Sequence, residues 1–277
     1  NIVIGAGVQS LLNILCPLIK SRKTVCFDDL SYRQGTAIFR DYGFKITDSR
    51  EIGSIIYTSP SYASRWGDTM TVAERFGLTE FARKNNKLII EDDYGSEFRY
   101  FNRPTPSLQG LDGGENTVYI STFSKMLLPS FRISFMILPD SLAKKYKQKK
   151  QFYNQTVSKT EQIALCSYIR DGHLASQIRK TKKLYVQKSK ILSDLLTEAF
   201  GDSVTVLKTD SPLYLRCRFA FPVTTERFCD KARKAGILLI PADTGTDFPD
   251  IAISVAAVGQ KQLPEAVKML YDVVRNS

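Results

Sequence analysis

Short apolar runs alternating with helical patterns predict an α/β protein, with a mostly parallel sheet carrying helices on both faces and a small C-terminal α+β domain. Three observations carry this expectation. Strand-like runs at residues 2–4, 24–27, 55–58, 87–90, 117–120 and 133–138 are separated by helix-periodic stretches at 8–20, 32–42, 71–85 and 141–152. From Glu161 to about Phe200 the pattern is helical with few breakers. Beyond it, strands at 214–219, 237–240 and 251–255 surround helices at 225–236 and 263–274. The expected domains are therefore 1–200, a large domain whose long helix serves as connector, and 201–277, a compact α+β unit.

Taken in order, the first run ends in Gly5-Ala6-Gly7-Val8-Gln9-Ser10, where two glycines turn a strand into a helix. Such a turn needs no ligand, yet the backbone N–H groups of Gly7, Val8 and Gln9 at a helix N-terminus also suit a phosphate. Tyr32 opens the second helix, where it either packs or offers a ring face to a ligand. The stretch 46–54 is short for a connection between strands. The next runs bear the chemistry: Lys87-Leu88-Ile89-Ile90 leads straight into Glu91-Asp92-Asp93-Tyr94, and Thr117-Val118-Tyr119-Ile120 leads into Ser121-Thr122-Phe123-Ser124-Lys125. Both polar clusters lie at the carboxyl ends of buried strands, where open α/β sheets bind ligands.

Composition sets outer bounds. A chain of 277 residues, 43% hydrophobic and 24% charged, can bury a large core. Its net charge of +11 raises the question of nucleic acid. Lys144, Lys145, Lys147, Lys149 and Lys150 crowd one helix, and Arg179, Lys180, Lys182, Lys183, Lys188 and Lys190 crowd another. Ile178, Leu184, Tyr185, Ile191, Leu192 and Leu195 recur on the second at helical spacing, so the cations read as the solvated face of a core helix. No apolar run reaches the twenty or so residues of a membrane span and no signal peptide opens the chain, so a cytoplasmic protein without a membrane partner is expected. Cys16, Cys26, Cys166, Cys217 and Cys229 are scattered and read as reduced thiols. With a single histidine, His173, at a helix junction, no metal site is expected.

The two strand-end clusters supply what pyridoxal 5'-phosphate requires: an amine for a Schiff base, a carboxylate for the pyridinium nitrogen, and hydroxyls with an arginine for the phosphate. Lys125 is the candidate amine, Thr122 and Ser124 the hydroxyls, and Arg132 the guanidinium, which matches phosphate bidentately. Asp92 is the candidate pyridinium partner, with Asp93 as fallback. Tyr94, two residues beyond Asp92 and on the same side of an extended chain, can reach the ring's phenolic oxygen. Positive charge near Lys125 would favour its neutral, nucleophilic form. Taken singly, an acidic cluster after a strand reads as a loop or a helix cap, and a serine-lysine pair as nothing; the two clusters in this order carry the assignment.

The chain resembles the aminotransferase-like domain of the MocR subfamily of GntR-type transcription regulators, which join a winged-helix DNA-binding domain to a fold-type-I pyridoxal phosphate domain. The resemblance runs from Asn1 to Ser10, through Glu91 to Tyr100, Leu108 to Asp112, the Thr122 to Lys125 segment and Arg132 to Pro139, to Glu161–Leu165 and Asp171–Leu174. It implies a cofactor held as a Schiff base on Lys125, Gly7, Val8 and Gln9 as a phosphate wall, Tyr32 against the cofactor's face, a homodimer, and DNA binding through an upstream winged helix. Because the chain opens on a strand already in progress, that upstream part is expected to precede it.

Departures from the family's pattern matter as well. The arginine that holds a substrate carboxylate falls on Ala252, Gly95 replaces an aspartate, and Tyr62 and Ala63 replace a histidine-glutamine pair. Arg33, Arg65 and Arg216 are the candidate substitutes. Cofactor-holding residues are thus kept while substrate-holding ones are eroded. The leading expectation is a pyridoxal-phosphate-binding effector and dimerisation domain taking an amino acid or amine; the alternatives are a true aminotransferase with Lys125 as proton shuttle, and a scaffold without cofactor.

Overall fold

The computed structural model describes all residues except 29–31, 64–67, 99–104, 129, 208, 244, 246, 257, 276 and 277 and the side chain of Arg33. The described residues fall into two compact units. The first holds Asn1–Ser64, Thr69–Ser96 and Arg103–Gln177, and the second holds Ile178–Ser277 with Asp68, Glu97 and Phe98. Sequence reading placed the boundary near Phe200; the division falls earlier, at Gln177, because Leu192, Leu196 and Phe200 pack into the core of the second unit.

The first unit is built on strands β1 (Ile2–Ala6), β2 (Thr24–Phe27), β3 (Lys45–Thr47), β4 (Ile55–Thr58), β5 (Leu88–Asp93), β6 (Thr117–Thr122) and β7 (Ile133–Ile137). They form one seven-stranded sheet in the order β1-β7-β6-β5-β4-β2-β3. β3, β2, β4, β5 and β6 are parallel, while β7 runs against both β6 and β1. Every residue of β4 and β5 is buried, as expected of strands covered on both faces.

Strand periodicity distributes the core. Ile55, Tyr57, Ile90, Val118 and Ile120 pack with Leu11 and Leu15 of α1 (Val8–Leu18), Phe39 of α2 (Arg33–Asp41) and Leu142 of α5 (Asp140–Lys149). Ile56 and Ile89 pack instead with Leu78 and Ala82 of α3 (Val72–Lys84) and Leu108 of α4 (Leu108–Leu111). Continuing the alternation along β5 puts Asp92 on the α1 face and Glu91 and Asp93 on the α3 face. A reciprocal cap starts α3: Thr71 Oγ1 accepts from the Glu74 amide at 3.2 Å, and the Glu74 carboxylate accepts from the Thr71 amide at 2.7 Å.

The helical stretch from Glu161 to Phe200 is two helices, α6 (Lys159–Arg170) and α7 (His173–Phe200), which meet where a helix junction is expected at His173. Gly172, at φ 77°, ends the first, a left-handed conformation that side chains disfavour. His173 follows it and packs against the Tyr168 ring at 5.4 Å.

In the second unit, β8 (Val204–Leu207), β9 (Tyr214–Phe219), β10 (Ile240–Asp243) and β11 (Asp250–Ser254) form an antiparallel sheet in the order β10-β11-β9-β8. Leu196 of α7, Phe228 of α8 (Thr225–Lys234) and Val267 of α9 (Leu263–Arg275) pack with Phe219 and Ile251 into its core. The strand expected at 237–240 begins only at Ile240, and the short edge strands β3 and β8 were not expected. The lysines of α5 are exposed, as a solvated face requires. Lys188, counted with the exposed cations of the second basic helix, is 5% exposed, and burial lowers its pKa.

All five cysteines are free, and no metal-holding cluster occurs among the described residues. No helix among them is long and apolar enough to cross a membrane.

Candidate functional site

At the carboxyl ends of β4, β5 and β6, beside the β1–α1 turn, the first unit opens a cleft of about 420 Å³. Of the residues singled out from sequence, Gly7, Val8, Tyr32, Asp92, Tyr94, Thr122, Ser124 and Arg132 line it. Gln9 and Lys125 are not lining residues: Gln9 hydrogen-bonds the Tyr32 side chain, and Lys125 lies against the Tyr94 ring. Tyr62, noted from sequence only as a departure from the family's pattern, also lines the cleft, as do Gln34 and Ser59, to which the sequence assigns no role.

Asp92 is the cleft's buried carboxylate. It accepts a 2.7 Å hydrogen bond from the hydroxyl of Tyr57, whose ring is stacked on Phe27 at 4.8 Å. Burial pushes the Asp92 carboxyl up to about 6, helped by the charge of Asp93 and opposed by the Tyr57 hydrogen bond. A cationic N–H donor placed here would relieve that desolvation.

Across the cleft the arrangement suits an anion. The first turn of α1 has neither a side-chain cap nor an acidic residue, so the amides of Val8 and Gln9 suit a ligand, whereas that of Gly7, expected beside them, already donates to the Gly5 carbonyl at 2.9 Å. Gly7 sits at φ 83°, and a Cβ on it would lie 2.6 Å from Arg132 Nη2. Thr122 Oγ1 donates to Ser124 Oγ at 3.1 Å and accepts from the Ser124 amide at 3.2 Å, which holds both hydroxyls together. Gly7→Ala is therefore expected to displace Arg132 and weaken binding of a phosphate-bearing ligand at least tenfold, on the order of 1.4 kcal/mol, as read by equilibrium dialysis. Unchanged affinity would remove Arg132 and the turn from the site.

The Lys125 amine is enclosed by aromatic rings. Its Nζ lies 3.7 Å from the Tyr94 ring centroid and 5.0 Å from that of Tyr62, and the two rings meet edge to face at 6.1 Å. Ring faces favour the ammonium, opposite to the effect expected from neighbouring positive charge. Gly95, at φ 85°, leaves room for this: a Cβ there would stand 2.9 Å from Nζ. The glycine noted as a departure from the family's pattern therefore adjoins the amine itself.

The other two carboxylates of the acidic cluster serve the opposite face. Glu91 accepts from the amides of Leu108 and Gln109, both at 2.9 Å, and lies 3.8 Å from Arg75, which is itself 1% exposed. Burial pushes Glu91 up to about 7 against the pull of those two amides. Arg75 also donates to the carbonyls of Pro60, Met70 and Pro106. Asp93, the fallback for Asp92, accepts from Tyr119 at 2.5 Å and Ser96 at 2.9 Å and is turned away from the cleft. Among the candidate substitutes for a carboxylate-binding arginine, Arg65 and the Arg33 side chain lie outside the described residues. Arg216, in the second unit, stands opposite Ala252 in register and is held bidentately by Asp250 at 2.8 Å on both contacts.

No family model matches the sequence. The chain is 33% identical over 287 residues to the uncharacterized HTH-type transcriptional regulator YdeL of Bacillus subtilis, covering 98% of this chain and 62% of that protein. It is 27% identical to the probable rhizopine catabolism regulatory protein MocR of Rhizobium meliloti, over 87% of this chain and 52% of that protein. In structure it superposes on the kynurenine aminotransferase of Pyrococcus horikoshii with a TM-score of 0.79 at 20% identity, covering 100% of this chain and 75% of the other. The chain is a relative of the MocR-type regulators. It has the fold-type-I aminotransferase fold, and spans about three fifths of the length of the first of these regulators.

The residues present fit the cofactor of that fold. The MocR-like chain offers a buried carboxylate with a raised pKa, an uncapped helix N-terminus beside an arginine and two hydroxyls, and an amine one residue beyond them.

Proposed function

We propose that this chain is a pyridoxal-phosphate-binding, aminotransferase-like effector and dimerisation domain of a bacterial transcription regulator, with DNA bound through a separate winged-helix part. The observation that carries the reading is the pairing, in one cleft, of buried Asp92 at one side with Arg132, Thr122, Ser124 and the uncapped start of α1 at the other. When bound, pyridoxal phosphate supplies an electron sink for an attached amino group.

Each side chain has a stated task. Asp92, fixed by the Tyr57 hydroxyl, holds the proton on the pyridine nitrogen. The amides of Val8 and Gln9, with Thr122, Ser124 and Arg132, bind and orient the phosphate, and Gly7 leaves room for the Arg132 guanidinium. Tyr32 covers one side of the cleft, Tyr94 offers its hydroxyl to the phenolic oxygen, and Lys125 is the amine that carries the cofactor. The ligand is an amino acid or an amine, and a homodimer is the assembly expected of the fold. The fold is shared with true aminotransferases, so fold alone does not choose between sensing and turnover.

The deciding measurement is the visible absorption spectrum after mixing with pyridoxal phosphate and gel filtration. A band retained by the wild type and lost in Lys125→Ala is expected, followed by spectral change with an amine or amino acid. No retained band in either protein would leave a scaffold; sustained keto-acid production would make the chain an aminotransferase.

A further inference from the structure

We propose that Tyr62 is a positioning residue for Lys125: its ring and that of Tyr94 form a two-sided aromatic seat that favours the ammonium form of the amine and raises the pH at which it can add to an aldehyde. The inference rests on the reading of Lys125 as the cofactor-carrying amine and adds the residue that governs its availability.

The seat follows from strand order. β5 lies between β6 and β4, so Lys125, just after β6, reaches across Tyr94, just after β5, toward Tyr62 in the short turn Pro60–Tyr62 after β4. The amine ends 3.7 Å from one ring centroid and 5.0 Å from the other. The rings are braced edge to face at 6.1 Å, so neither turns away without losing its contact with the other. Gly95 keeps the seat open, because a Cβ at that position would meet Nζ at 2.9 Å.

Addition to an aldehyde uses the lone pair of the neutral amine. The C–N bond forms and the carbonyl oxygen leaves as water, so the ammonium must first give a proton to solvent. Burial of Nζ disfavours the ammonium, and the ring faces offset part of that cost, so the proton leaves at a higher pH with the rings than without them. Among the described residues, the charged groups of the surrounding elements include Asp92 of β5 and Arg132 ahead of β7, which line the same cleft, Asp93, which faces Tyr119 and Ser96, and Glu91, which faces the amides of Leu108 and Gln109. None of these changes when Tyr62 is replaced.

The test is a pH profile of reductive methylation of Lys125 by formaldehyde and cyanoborohydride, followed by peptide mass spectrometry on the protein without pyridoxal phosphate. Tyr62→Leu should lower the midpoint by about half a pH unit and speed methylation at pH 7 about threefold. Tyr62→Phe, which keeps the ring, should match the wild type. Tyr62→Gln repeats the loss of the ring should the leucine variant not fold. An unmoved midpoint in a folded Tyr62→Leu or Tyr62→Gln protein, or a Tyr62→Phe shift as large as theirs, overturns the seat. A shifted midpoint in a protein that retains no pyridoxal phosphate band would keep the seat and remove the cofactor reading, so the two fail separately.

Discussion

Arg75→Met should destabilise the first unit by about 3–5 kcal/mol, lowering the thermal midpoint by roughly 10 °C or more. Arg75 is almost wholly buried, and its guanidinium serves the carbonyls of Pro60, Met70 and Pro106 as well as the Glu91 carboxylate. Methionine fills much of the volume and supplies none of the donors, so buried acceptors are left unmet and Glu91 stays desolvated without its cation. Adding Glu91→Gln to Arg75→Met should recover part of the loss, because the uncompensated charge goes with it. Denaturant titration of the wild type, Arg75→Met, Glu91→Gln and the double variant checks this, and a loss in Arg75→Met below about 1 kcal/mol would reduce the pair to a peripheral contact.

Asp92→Asn should do the reverse, stabilising the protein while abolishing cofactor retention. The Asp92 carboxyl is raised from 3.8 to about 6 in the folded protein, so between those pH values the folded state holds more protons than the unfolded chain. Stability attributable to this group is present below pH 4 and lost as the pH rises through 6. The full shift is worth roughly 3 kcal/mol, and an asparagine, which never ionises and can still accept from Tyr57, avoids it. Without added cofactor, the variant's thermal midpoint at pH 7 should exceed the wild type's by about 2–8 °C, with little difference at pH 4. With pyridoxal phosphate the order should invert, since only the wild type gains ligand stabilisation. A variant less stable than the wild type at pH 7 would show that the charge of Asp92 already has a partner.

The sequence disclosed the site's residue types because the relevant signals are local. An apolar run ending in charged residues marks the carboxyl end of a buried strand, and period two puts Asp92 and Tyr94 on one side of it. Gly7 and Gly95 are legible as glycines, but their purpose is not: each stands against a cation far along the chain, Arg132 in one case and Lys125 in the other. Gly172 marks the junction of α6 and α7 in the sequence itself, because a glycine just past a helix takes the left-handed conformation that other residues avoid. β3 and β8 are short edge strands with little burial to imprint a pattern.

What the sequence determined by itself was therefore the alternation of strands and helices, the strand ends that carry chemistry, and the kinds of group offered there. Tertiary structure alone decided the meetings: Tyr57 with Asp92, Arg75 with Glu91, Arg132 with Gly7, and Lys125 with the rings of Tyr94 and Tyr62. The reason is geometric. Local periodicity fixes which way a side chain leaves its own strand, but its neighbour is set by the order β6-β5-β4, which crossover helices impose and no local pattern encodes.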